Sequence, residues 1–98
     1  KSYQESCNEF LLLTYELSKD WDKAISFSKT LNNNKQRNTS IPVLISQYYC
    51  EKAIDYLKDN QTNKAITVLK KAIDVNDLCA RAYKLLFEIN TLMTKKRN

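Results

Sequence analysis

Residues 43–75 read VLISQYYCEKAIDYLKDNQTNKAITVLKKAIDV, and the spacing of their apolar side chains decides the fold. Ile45, Tyr48, Tyr49, Ala53, Tyr56 and Leu57 recur at intervals of three and four, which puts them on one stripe of a helix. The polar run Lys58-Asp59-Asn60-Gln61-Thr62 then breaks the pattern. A second stripe follows in Ala65, Ile66, Leu69, Ala72 and Ile73, with the bulk to pack back on the first. Two helices and a tight turn make a helical hairpin.

Composition agrees with that reading over the whole chain. The 98 residues contain no Gly and one Pro, which suits helices joined by short turns and disfavours a hairpin-rich β fold. A chain of this length is one small domain with a modest core. Its net charge of +5 comes from 16 basic residues interspersed with 11 acidic ones. No basic block forms, so nucleic acid is not the expected partner. Tyr48, Tyr49, Tyr56 and Tyr83 have the helical spacing of core residues rather than of a base-stacking platform.

Cys7, Cys50 and Cys79 are far apart, odd in number and without a Cys-x-x-Cys pair. They describe neither a disulfide framework nor a zinc site, and each reads as a small thiol on or beside an apolar stripe in a reducing compartment. No cofactor is expected. With no His, no Gly-rich phosphate cradle and no recognisable nucleophile setting, the chain is not expected to be an enzyme. Its apolar runs all fall short of the roughly 20 residues needed to cross a bilayer. It opens at Lys1 without Met, as a piece of a longer protein would.

Outward from the central hairpin, the same grammar recurs. A first helix is expected over Tyr3 to Ser18, and Asp20 supplies an N-cap oxygen for a second carrying Trp21, Ala24, Ile25, Phe27 and Leu31. The Asn-rich run at 32–38 is expected to be a loop or a frayed helix end, and Thr39 or Ser40 before Pro42 marks a new helix start. Beyond the central hairpin, Asn76-Asp77 is expected to cap a fifth helix with Leu78, Ala82, Leu85, Leu86, Ile89, Leu92 and Met93. That helix has no successor to pair with, so Leu85, Ile89 and Leu92 are candidates for an exposed, self-associating face.

The two hairpins share a register. Tyr15 and Tyr56 are 41 positions apart, as are Ala24 and Ala65, whereas Tyr49 and Tyr83 are 34 apart. Paired helices at a period of about 34 resemble the tetratricopeptide repeat, with the longer first interval absorbed by the Asn-rich insertion. The resemblance implies an all-α fragment of a right-handed solenoid with about five helices, two hairpins and one terminal helix. One domain over 1–98 would hold repeat one at about 5–38, repeat two at about 43–76 and a half repeat at about 78–93. Where that family favours a small residue in mid-first-helix, Leu12, Ala53 and Phe87 stand here, and only Ala53 conforms.

Longer strings sharpen the likeness. Leu11 to Glu16 with Asp20 to Ile25, the run Ile45 to Ala53 containing Tyr-Cys-Glu-Lys-Ala, Leu69 to Ala72, and Cys79 to Ala82 resemble the repeat region of the lipopolysaccharide assembly protein B family. The resemblance implies a bacterial regulator on the cytoplasmic face of the inner membrane, with an anchor helix before the repeats and a zinc module after them. It implies protein partners, namely the deacetylase that commits precursor to lipid A and a membrane AAA protease that destroys it. Neither anchor nor zinc ligands map onto any residue here, and any zinc would lie outside this chain. The alternative is a generic or self-associating tetratricopeptide scaffold unrelated to lipopolysaccharide.

In stacked hairpins the first helices line a concave face on which ligands settle. The candidates for that groove are Leu13 and Glu16 in the first copy, Gln47, Ile54 and Lys58 in the second, and Arg81, Lys84 and Glu88 in the third. Mixed but leaning basic, they suit an acidic or amphipathic peptide. The Lys and Asn pattern with which chaperone-binding relatives grip a terminal carboxylate is replaced by Glu9, Leu13, Cys50 and Ile54.

Overall fold

The computed structural model describes residues 3–31 and 41–97, with side chains over 10–30 and 41–92. Five helices follow one another: α1 (Tyr3–Leu17), α2 (Trp21–Leu31), α3 (Ile41–Lys58), α4 (Thr62–Val75) and α5 (Ala80–Arg97). No strand occurs among the described residues, and the architecture is all-α, built from tetratricopeptide-like antiparallel hairpins. The Asn-rich insertion and the start signal at Thr39 or Ser40 lie outside the described residues.

Both hairpins turn by the same backbone device. At the end of α1 the Lys19 N–H donates to the Glu16 carbonyl at 3.1 Å and the Asp20 N–H to the Tyr15 carbonyl at 2.9 Å. At the end of α3 the Asn60 N–H bonds to the Leu57 carbonyl at 3.1 Å and the Gln61 N–H to the Tyr56 carbonyl at 2.8 Å. This paired pattern absorbs the last helical carbonyls and requires one left-handed residue. Lys19 (φ 58°) and Asn60 (φ 63°) take that role in a chain without glycine. The Asp20 Oδ1 then accepts from the Lys23 N–H at 3.3 Å and caps α2, while Gln61 makes no such side-chain bond at α4. Pro42 sits in the first turn of α3, where its missing N–H costs nothing.

The entry to α5 differs from the sequence expectation. Asn76 turns the chain by accepting the Leu78 N–H on its side chain (3.2 Å) and the Cys79 N–H on its carbonyl (3.1 Å). Helical bonding begins only at Cys79, whose carbonyl accepts from Ala82 and Tyr83. Leu78 therefore precedes the helix and is 85% exposed.

Two apolar clusters fill the stack. Leu12, Ala24, Ile25, Ile41, Ile45 and Tyr48 bind α1, α2 and the start of α3, helped by the edge-on pair Tyr15 and Phe27. Cys50, Ala53, Ala65, Val68, Leu69, Ala72, Cys79, Ala82 and Ile89 bind α3, α4 and α5. Tyr49 packs against both clusters. Small side chains at Ala24, Ala53, Ala65, Ala72 and Ala82, all without exposed surface, let the helices approach closely. Helix α3 is the hub, packed on α2, α4 and α5, while α5 leans on α4 and α3; the result measures 57 × 26 × 14 Å.

The outer face of α5 corrects the expected exposed stripe. Ile89 is 3% exposed and Leu85 packs against the second cluster, whereas Tyr83 and Phe87 stand out with Leu92. Ala82, Leu85, Leu86 and Ile89 form the stripe that turns to α3 and α4, and this rotates Tyr83 and Phe87 away from the core.

Candidate functional site

First helices α3 and α5 touch directly, and one side chain of α5 reaches two polar groups of α3. The Arg81 guanidinium donates through Nη1 to the Gln47 Oε1 at 3.0 Å and through Nη2 to the Glu51 Oε2 at 2.9 Å. Gln47 and Arg81 stand 34 positions apart, the repeat period itself. Glu51 lies one helical turn beyond Gln47 on the same face of α3, so one guanidinium spans both rungs.

On the other side of the hub, the Tyr48 hydroxyl donates to the Glu16 Oε2 at 2.5 Å, tying α3 to α1. Trp21, stacked on Tyr48 with ring centres 6.0 Å apart, donates its Nε1–H to the Asp55 Oδ2 at 2.7 Å. Lys52 pairs with Asp22 and lies over the Tyr56 ring, which Lys64 also approaches. Burial pulls the Lys52 ammonium down, but the hydrogen bond and charge of Asp22 outweigh it and leave the group above its ordinary value. Trp21, Asp22, Lys52, Asp55 and Tyr56 edge a pocket of about 210 Å³ between the two hairpin turns, and its polar groups are largely consumed by one another.

Of the eight residues expected in the groove, Gln47 and Arg81 are in contact and Glu16 is held by Tyr48. Ile54 is half-buried, and Leu13, Lys58, Lys84 and Glu88 are exposed without a hydrogen bond or ion pair joining them among the described residues. The basic lean is weaker than composition suggests, because Glu51 meets the Arg81 charge. Glu51 and the Tyr48 hydroxyl are polar groups missed by sequence reasoning, as are Asp55 beside Trp21 and Lys52 beside Asp22. Glu51 was findable, since it follows Gln47 by four on the same helix; the Tyr48 hydroxyl was hidden by the residue's place in the apolar stripe.

Cys50 and Cys79 are free and buried, with their Sγ atoms 3.8 Å apart across the α3 to α5 joint. Burial, reinforced by the neighbouring Cys79, pushes the Cys50 thiol up to about 12. Among the described residues no three His, Cys, Asp or Glu gather as metal ligands, and no helix is long and apolar enough to cross a membrane.

Comparison with known proteins gives the same direction as the sequence strings. The chain is 30% identical over 90 residues to lipopolysaccharide assembly protein B of Haemophilus influenzae, covering 92% of this chain and 22% of that protein. It is 32% identical over 74 residues to the protein of that name from Escherichia coli, covering 72% of this chain and 18% of that protein. The chain thus spans about a fifth of the length of the curated relatives it matches. No family model matches it. These relatives are named for assembly rather than for a catalysed reaction.

Proposed function

We propose that this chain is a non-catalytic protein-binding scaffold acting in the control of lipopolysaccharide assembly. One observation carries the binding part: α3 and α5 lie side by side in repeat register, pinned by Arg81 across Gln47 and Glu51. Such a joint fixes the spacing of the first helices and so presents their outward side chains as one continuous surface. On it, exposed Lys58 and Lys84 supply cationic points and half-buried Ile54 an apolar one, with exposed Leu13 on α1 as a further apolar point. An amphipathic segment with acidic side chains fits that surface best.

Likeness to lipopolysaccharide assembly protein B supports the biological setting. In that setting the chain works on the cytoplasmic side of the inner membrane and helps bring the committed deacetylase of lipid A synthesis to a membrane AAA protease. The test is affinity capture from source cells with the wild-type chain and with Arg81→Glu combined with Lys84→Glu. The wild type should retain the deacetylase or the protease and the variant should lose it. Equal recovery by both chains would overturn the groove assignment, and recovery of neither by the wild type would overturn the setting.

The outer face of α5 favours a second reading, a self-associating scaffold, because Tyr83 is 49% and Phe87 71% exposed. Light scattering over a concentration series decides it; a monomer at the highest concentration removes it.

A further inference from the structure

The joint between α3 and α5 contains a chemically unused pair. Cys50 projects from α3 and Cys79 immediately precedes α5, both within the second apolar cluster and both with almost no exposed surface. Their Sγ atoms are in van der Waals contact at 3.8 Å. A disulfide needs about 2.05 Å, so bonding requires an approach of under 2 Å. Each sulfur is the other's neighbour, and the residues between them include the whole of α4.

From this placement we propose that Cys50 and Cys79 form a modification site, a dithiol that closes to a disulfide and locks the two first helices together. The oxidant is a small disulfide such as oxidised glutathione. One cysteine thiolate attacks a sulfur of that disulfide, breaking its S–S bond, forming a mixed disulfide and expelling one glutathione thiolate. The second cysteine thiolate attacks the protein sulfur of the mixed disulfide and expels the other. The two protein thiols lose two protons and two electrons, and the oxidant leaves as two molecules of reduced glutathione. The product bond lies beside Arg81, two residues beyond Cys79, so it holds the guanidinium against Gln47 and Glu51. The proposal is independent of which polypeptide the surface holds.

Burial sets the rate rather than the outcome. A small disulfide reaches the pair only when α5 lifts, and among the described residues α5 packs on α3 and α4. In a reducing environment the pair stays as two thiols.

The experiment uses the 98-residue chain carrying Cys7→Ser, treated with oxidised glutathione, with and without sub-denaturing urea, then alkylated and weighed. The expected product is lighter by two hydrogens, yields linked Cys50 and Cys79 peptides, and melts at a higher temperature that dithiothreitol returns to the reduced value. A chain with Cys7→Ser and Cys79→Ala yields no linked peptide and no upward shift. Free thiols or two separate glutathione adducts in both conditions would overturn the proposal. A linked product that melts lower than the reduced chain would also overturn it, since the bond would then distort the joint it is meant to hold.

Discussion

Arg81 donates to Gln47 at 3.0 Å, and the two residues hold the same place in successive copies of the helical unit. The bond therefore joins like to like, and its second arm to Glu51 adds a charge to a contact otherwise made by an amide.

That second arm predicts a small but measurable coupling. Arg81 and Glu51 side chains are 37% and 39% exposed, so solvent screens their attraction. A double-mutant cycle through Arg81→Ala and Glu51→Ala, followed by urea unfolding, should give about 0.5–1 kcal/mol. Lys84→Ala, exposed on the same helix, should change stability by less than about 0.5 kcal/mol. A coupling of zero would mean that the guanidinium is held by Gln47 alone.

Ser28 is fully buried, and its hydroxyl has no hydrogen-bond partner among the described residues. It stands 41 positions before Leu69, the largest fully buried side chain among the described residues, at the matching place in the earlier hairpin. Ser28→Ala removes an orphaned polar group and keeps a good helix former, and should stabilise by about 1 kcal/mol. A lower urea midpoint for the variant would show that the hydroxyl is satisfied in solution.

Lys19 carries a left-handed backbone at the first turn, and a side chain there costs free energy that glycine avoids. Lys19→Gly should raise stability by about 0.5–1 kcal/mol, after the extra freedom of the unfolded glycine is counted. Asn60→Gly should gain less, because Asn tolerates the left-handed region better than Lys. Equal gains at both positions would mean that this difference in tolerance plays no part.

Cys50 makes stability fall with alkali. The unfolded thiol ionises near its ordinary value of 9.0, whereas the folded one keeps its proton to about 12. Between those values the folded chain binds the extra proton, so its contribution is whole below pH 9 and is lost as pH rises through that window. The slope from this group is at most about 1.4 kcal/mol per pH unit. Comparing unfolding curves from pH 8 to 11 for wild type and Cys50→Ala should show a shallower decline in the variant. Parallel curves would mean that the thiol is not held protonated.

The central hairpin was legible because its apolar spacing has the helical period and because one polar pentapeptide separates its halves. Ala65, Leu69 and Ala72 are buried as that spacing requires. The outer face of α5 was not legible. Its apolar residues nearly surround the helix, so the sequence pointed to Leu85, Ile89 and Leu92 as the exposed face; contact with α3 and α4 buried Ile89 and left Phe87 in solvent beside Leu92. Polar partnerships such as Tyr48 with Glu16 depend on how two helices meet, which spacing along one of them does not encode. In the candidate groove, chain periodicity aligned Gln47 with Arg81, while the neutralising role of Glu51 emerged only from the packed helices.

Among the described residues Tyr49 is the side chain that packs against both apolar clusters. Substituting it would weaken packing that the two interiors share, while the unbroken α3 still runs through both. An evolving array can use such hinges of shared packing to tune how stiffly distant modules move together, leaving the architecture of each module intact.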